Sequence, residues 1–180
     1  MLERSFVMVK PDGVKRSLIG EIIGRFERAG LKLLGMRMQM PPRGLLERHY
    51  PATPELLKRL GDNTVRAYAG RETDLLKDYG SQDPVELGKL VRKWLIDYMS
   101  SGNAIPMVWE GNCAIKVVRK LLGATVPVEA LPGTIRGDFS TDSPDVANAE
   151  FRAVQNLVHA SGNAEEAAFE VELWFPELKK

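Results

Sequence analysis

A chain of 180 residues with 44% hydrophobic content can bury one sizeable core, and no Ser-, Gly- or charge-rich stretch divides it. Its 25 basic and 24 acidic residues leave a formal charge of +1, which argues against a dedicated nucleic-acid surface. The single cysteine, Cys113, can form no internal disulfide, and no run reaches the roughly 20 apolar residues of a membrane span, so a soluble, cytoplasmic protein is expected.

Ser5–Val9 is a β-rich run that stops at Lys10-Pro11-Asp12-Gly13, whose Pro, Asp and Gly predict a strand running into a loop. Ile19, Ile22, Ile23, Phe26 and Ala29 share one helical face, and Gly30 supplies a stop. A second strand is predicted between Leu31 and Met40, ending at Pro41-Pro42. Helices follow near 54–60, 63–79 and 84–100. Two of them open on an N-cap residue followed by proline, Thr53-Pro54 and Asp83-Pro84. Ala104–Trp109 reads as a strand and 112–122 as a helix closed by Gly123. Residues 124–138 form a loop punctuated by Pro127, Pro132, Gly133 and Gly137 without apolar period, and a loop of that length inside a compact domain is usually functional or disordered. Leu157-Val158-His159 is too short to classify by pattern, and Asn163 caps a last helix through about Phe175. The order of elements predicts an α+β sandwich of the split βαβ kind.

Common nucleotide-site patterns are absent: there is no G-x-x-x-x-G-K-[ST] loop and no G-x-G-x-x-G. The two histidines, His49 and His159, are far apart in sequence, without metal-ligand spacing. Cys113, early in an amphipathic helix, reads as a small buried residue. His49, in the polar helical stretch Leu45–Tyr50, reads as a surface residue. His159 follows Leu157-Val158 and precedes Ala160-Ser161-Gly162-Asn163, so it sits where a strand ends and a helix begins. By position alone such a histidine is as often structural as chemical. Lys10, Arg119, Thr125, Thr134 and Arg136 are residue types that hold phosphates, although isolated loop arginines are commonly just solvated.

Five blocks taken together say more. Met8–Val14 (MVKPDGV), Gly20–Ile23, Val108–Gly111, Pro132–Phe139 (PGTIRGDF) and Asn156–Ser161 (NLVHAS) resemble nucleoside diphosphate kinases, in that family's order, from Arg4 to Phe175. The resemblance implies one domain over 1–180 with a ferredoxin-like fold: an α/β sandwich on an antiparallel sheet, plus inserted helices at about 51–91 and 140–152. It implies a phosphotransferase in which His159 takes the γ-phosphoryl group of a nucleoside triphosphate and passes it to a diphosphate, in ping-pong fashion. Lys10 would bind the transferring phosphate and the ribose 3′-hydroxyl, Tyr50 would lie beside the phosphate path, and Arg119, Thr125 and Arg136 would clamp phosphates. Asn156 would hold the 3′-hydroxyl, and Ser161 with Glu170 would orient the imidazole. Mg²⁺ would be carried mainly by the nucleotide phosphates, with no metal site on the protein, and the chain would form a homo-oligomer, a hexamer or a tetramer.

The chain departs from the family pattern in four places. Ala160 stands where glycine usually follows the nucleophile, and Gly162 where an acidic residue is common. The two insertions are the other departures, and the first erases the alignment around the residue that stacks on the base. Tyr68, Tyr79 and Trp94 are the nearby aromatic substitutes. An idle relative serving as a nucleotide-binding subunit is the alternative, but such a copy would be expected to lose the nucleophile or a clamp.

Overall fold

The computed structural model describes residues 2–68 and 75–179. β1 (Leu2–Val9) is buried from Ser5 to Val9 because the sheet is covered on both faces. Strand alternation sends Phe6 and Met8 into one core and Val7 and Val9 into the other. β1 pairs antiparallel with β3 (Ile105–Asn112) on one side and with the three-residue β4 (Val158–Ala160) on the other. β2 (Lys32–Met36) pairs with the far side of β3, giving the order β2-β3-β1-β4. This is the α+β sandwich expected from the order of elements, with the antiparallel, ferredoxin-like sheet that the family resemblance implies.

α2 (Ile19–Arg28) and α7 (Ala114–Leu122) cover one face, packing Ile22, Phe26, Val118 and Leu122 against Val7, Val9 and Trp109. The other face is covered by α3 (Arg43–His49), α6 (Pro84–Met99) and α10 (Ala164–Trp174), which bring Leu46, Ile96, Met99 and Trp174 against Phe6, Met8 and Val108. The predicted caps are in place. Asp83 accepts from the amides of Val85 and Glu86 at 2.8 and 3.0 Å, and Asn163 accepts from that of Glu166 at 2.8 Å.

Several local expectations give way to tertiary contacts. Lys10–Gly13 is not a plain loop: Lys10 is the N-cap of a short helix, α1 (Pro11–Lys15), with Pro11 at the position where its fixed φ suits a helix start. A break near residues 61–62 does not occur, since α4 (Pro54–Tyr68) runs through Gly61. A Cβ there would lie 1.7 Å from the Pro84 carbonyl oxygen, and one on Gly88 would lie 1.9 Å from that of Leu57. These glycines let α4 and α6 touch backbone to backbone, which offsets the roughly 1 kcal/mol that glycine costs in a helix. The predicted helix over 63–79 is described only in part, as the end of α4 and as α5 (Leu75–Tyr79), because 69–74 fall outside the described residues. Cys113 is exposed rather than buried. It holds a left-handed φ of 50° just ahead of α7, where the chain turns out of β3 and its side chain never reaches the core.

The loop after α7 contains α8 (Ile135–Phe139), capped by Thr134, whose hydroxyl accepts from the Gly137 amide at 3.1 Å. The segment after it contains α9 (Pro144–Ala149), capped by Ser143. The insertions meet: the Tyr79 hydroxyl donates to the Asn148 carbonyl at 3.3 Å, and the Tyr79 and Phe151 rings lie 6.0 Å apart.

Candidate active site

A cleft of about 1350 Å³ opens beside β4. One wall is made by α4 and α6, through Leu56, Leu60, Val91 and Trp94. The other is made by α7, the loop that follows it, α9 and α10. Lys10, Tyr50, Arg119 and Thr125 all line it, as do Arg136, Asn156, His159 and Glu170, while Ser161 is fully buried behind. Residues separated by up to 160 positions are thus gathered around one volume.

The strand end that carries His159 is held from below. Leu157 adopts a left-handed φ of 68°, a conformation unfavourable for a non-glycine residue. Both of its backbone groups are tied: its N–H donates to Asp12 Oδ2 at 3.0 Å and its carbonyl accepts from the Lys10 amide at 2.8 Å. Asp12 Oδ1 also accepts from the Gly13 amide and from the Tyr98 hydroxyl, at 2.8 and 2.5 Å. Asp12 therefore builds the platform for β4, a role that its turn-forming character conceals in the sequence.

His159 Nε2 lies 2.6 Å from Glu170 Oε1, and the Ser161 hydroxyl donates to Glu170 Oε2 at 2.5 Å. Ser161 is fixed in turn by the Phe6 amide, which donates to its Oγ at 3.2 Å. Burial alone would push the Glu170 carboxyl up, but the two imidazoles and the Ser161 hydroxyl outweigh it and hold the carboxyl below the usual range. Glu170 is thus an ionised acceptor, and His159 Nε2 must be the donor. In the neutral ring Nδ1 then keeps its lone pair.

Lys10 is buried, and its Nζ donates to Asn156 Oδ1 at 2.8 Å, while Asn156 Nδ2 donates to the Thr125 carbonyl at 2.8 Å. Burial, partly countered by Asp12 and reinforced by Arg136, lowers the Lys10 ammonium to about 8. The Arg136 guanidinium is largely committed to the fold. It donates to the carbonyls of Asn156, Gly123, Ala124 and Val158 at 3.2, 3.0, 3.1 and 2.6 Å, knitting the loops around the cleft. Burial and the nearby Arg119 charge lower it to about 10, so it stays cationic at neutral pH. The Arg119 side chain, in the last turn of α7, has no hydrogen-bond partner among the described residues and offers its fork to the cleft. Burial raises the Tyr50 hydroxyl far above its ordinary range, so it remains a neutral donor.

His49 corrects its sequence reading. It is buried rather than on the surface, because it lies three residues after Leu46 on the inner face of α3. Its ring lies 4.7 Å from that of His159, at 80°. With Glu170 the two histidines offer ligand atoms within 4.8 Å of one another, but Glu170 Oε1 already accepts from His159 Nε2 and His49 Nδ1 from the Trp174 indole, while His49 Nε2 is buried without a hydrogen-bond partner among the described residues. At Gly162 the space that an acidic side chain would need is occupied: Glu166 Oε2 accepts from the Gly162 amide at 2.8 Å, and Glu166 also pairs with Arg59 of α4 at 3.4 Å. Of the three aromatic substitutes, Trp94 lines the cleft. Tyr68 and Tyr79 instead share a hydroxyl–hydroxyl bond of 2.8 Å.

Comparison with known proteins places this geometry. The family model for nucleoside diphosphate kinase matches residues 3–57 and 85–179, passing over residues 58–84. The nucleoside diphosphate kinase of Pyrobaculum aerophilum is 46% identical over 176 residues, covering 98% of this chain and 96% of that protein. A crystal structure of an NDP kinase from the same organism superimposes with a TM-score of 0.96 at 44% identity, covering 99% and 98% of the two chains. A transition-state mimic of nucleoside-diphosphate kinase from Borrelia burgdorferi, with bound vanadate and ADP, gives a TM-score of 0.77 at 34% identity, covering 99% and 89%. A family match of this extent, together with relatives alike over nearly their whole length, shows that the chain belongs to the nucleoside diphosphate kinase family.

Proposed function

We propose that His159 is the phosphoryl carrier and that the cleft beside it binds the nucleoside tri- and diphosphates. One observation carries this reading: the 2.6 Å bond from His159 Nε2 to Glu170 leaves Nδ1 as the nucleophile in a cleft rich in cations. The Nδ1 lone pair forms the N–P bond as the bond from phosphorus to the bridging β–γ oxygen breaks, and the diphosphate leaves with that electron pair. In the second half-reaction a terminal oxygen of the acceptor diphosphate attacks phosphorus, and the N–P electrons return to Nδ1. No proton leaves Nε2 in either step. Glu170 stabilises the charge that develops on the ring, and Ser161 holds Glu170.

Lys10 and Arg119 neutralise the equatorial oxygens, where the transition-state charge is spread, with Thr125 and the Tyr50 hydroxyl as neutral donors. Arg136 contributes its charge and holds the loop that presents Thr125. Asn156, paired with Lys10, meets the ribose 3′-hydroxyl. Mg²⁺ fits this arrangement as a passenger on the nucleotide. The phosphate end is basic, and Glu170, the carboxylate beside His159, already accepts from two side chains. When bound, the ion would offset the negative charge of the phosphates.

The test is incubation with γ-³²P-ATP. Acid-labile, alkali-stable label on His159 is expected, and label on His49 or none at all would overturn the reading. The exposed Met36, Met38 and Met40 at the β2 edge support assembly as a homo-oligomer, a hexamer or a tetramer, and light scattering that finds a monomer would contradict it. No helix among the described residues is long and apolar enough to cross a membrane, and the single cysteine fits a cytoplasmic enzyme.

The inserted helices form a wall of the same cleft, through Leu60, Asn63 and Thr64 of α4. They act as a lid that supplies nucleoside contacts. Leu57 and Gly88 touch, so residues 58–87 can be replaced by a short linker without stretching the chain. That variant is expected to raise the nucleotide KM about tenfold while changing the phosphorylation rate about twofold, as loss of uniform binding does. A folded variant that keeps its KM and loses its oligomeric state would make the segment an assembly element instead.

A further inference from the structure

His49 has no part in the mechanism above, yet its ring is fully buried against the nucleophile. Trp174 Nε1, which can only donate, lies 3.3 Å from His49 Nδ1. That bond makes Nδ1 the acceptor and places the ring's single proton on Nε2. The same Nδ1 lies 3.7 Å from Glu170 Oε1, the atom that takes the His159 Nε2–H. Trp174 and Glu170 are four residues apart on α10 and present their polar atoms side by side.

Two imidazoles thus face one carboxylate oxygen, and one of them is occupied. We infer that His49 and Trp174 are positioning residues that assign Glu170 to His159: by holding the His49 proton on Nε2, the indole keeps His49 from donating to the carboxylate. A His49 with its proton on Nδ1 would compete for Oε1. His159 would then lose the bond that fixes its own proton on Nε2, and part of its population would carry the proton on the nucleophilic Nδ1. Burial and the neighbouring His159, opposed by Glu170 and reinforced by Lys10, lower His49 to about 3, so it stays neutral throughout the working range and the issue is which tautomer it adopts. Phe6 packs tilted on both imidazoles, at 5.9 and 6.1 Å, and Tyr50 stands edge-on to both, at 4.5 and 6.4 Å, so the rings cannot swing apart to resolve the competition.

This inference rests on His159 as the carrier. It is tested on the full chain by rapid-quench phosphorylation with γ-³²P-ATP and by imidazole ¹⁵N NMR. Trp174→Phe frees His49 Nδ1. It is expected to lower the phosphorylation rate about tenfold, to leave the nucleotide KM within about twofold, and to move the His49 proton to Nδ1, a scale in line with that of a misoriented reacting group. Adding His49→Phe removes the competitor and should restore the rate to within about threefold of wild type. A packing role predicts the opposite, with the double variant at least as slow as the single one. A wild-type protein with His49 protonated on Nδ1, an unchanged rate in Trp174→Phe, or no recovery in the double variant would each overturn the inference. Label on His159 in the wild type keeps the carrier assignment standing in all three cases, and the wild-type spectrum decides even if a variant fails to fold.

Discussion

His159→Gln is expected to lower nucleotide exchange by on the order of 10⁴-fold or more, the scale on which removing a nucleophile acts, and to abolish covalent labelling. Binding of a diphosphate should stay within a few-fold of wild type, because Lys10, Arg119, Thr125 and Asn156 are separate side chains on separate elements. Gln preserves a polar amide near Glu170, so its loss of rate isolates the nucleophile from the packing around it. Isothermal titration with a nucleoside diphosphate reads the binding term, and steady-state exchange reads the chemistry. If binding collapsed together with rate, His159 would be organising the cleft rather than carrying phosphate.

Lys10→Met is expected to lower kcat by about 10²- to 10³-fold, the range for losing one preorganised charge donor at a transition state. Methionine preserves most of the buried stem, so the effect is electrostatic. The pH dependence follows from the same side chain. Below about 8 the Lys10 ammonium is charged and can meet a phosphate; above that it is neutral. On the alkaline side kcat/KM, which reports the free enzyme, should therefore fall about tenfold per pH unit above roughly 8. Bound phosphates favour the charged form, so the matching limb in kcat should lie at higher pH. The Lys10→Met variant should lose the limb altogether, and a limb that survived it unchanged would assign that titration to another group.

Much of the fold could be read from local signals. Strand β1, helices α2, α7 and α10, and the caps at Asp83 and Asn163 follow from periodicity and from side chains that compete for the first free amides of a helix. Such signals act over a few residues, so they are present in the sequence window itself. What escaped was whatever a distant partner decides. Gly61 looks like a break until Pro84 lies against it, and Asp12 looks like a turn residue until Leu157 and Tyr98 bond to it. His49 sits in a stretch rich in charge, and only the spacing from Leu46 hints that it faces inward.

By itself the sequence determined the α+β class, the split βαβ order and, through five blocks in family order, which side chains are the chemical candidates. It could do so because residue types and spacings are local facts. Tertiary structure alone decided that Glu170 Oε1 meets His159 Nε2, that Arg136 spends its fork on backbone carbonyls, and that a second imidazole stands beside the first. These depend on an antiparallel register that sets Met8 opposite His159 and on the docking of α3 and α10 over Phe6. The pairing of a proton with one nitrogen is settled by angstroms, and those distances exist only once the sheet and its two helical layers have closed.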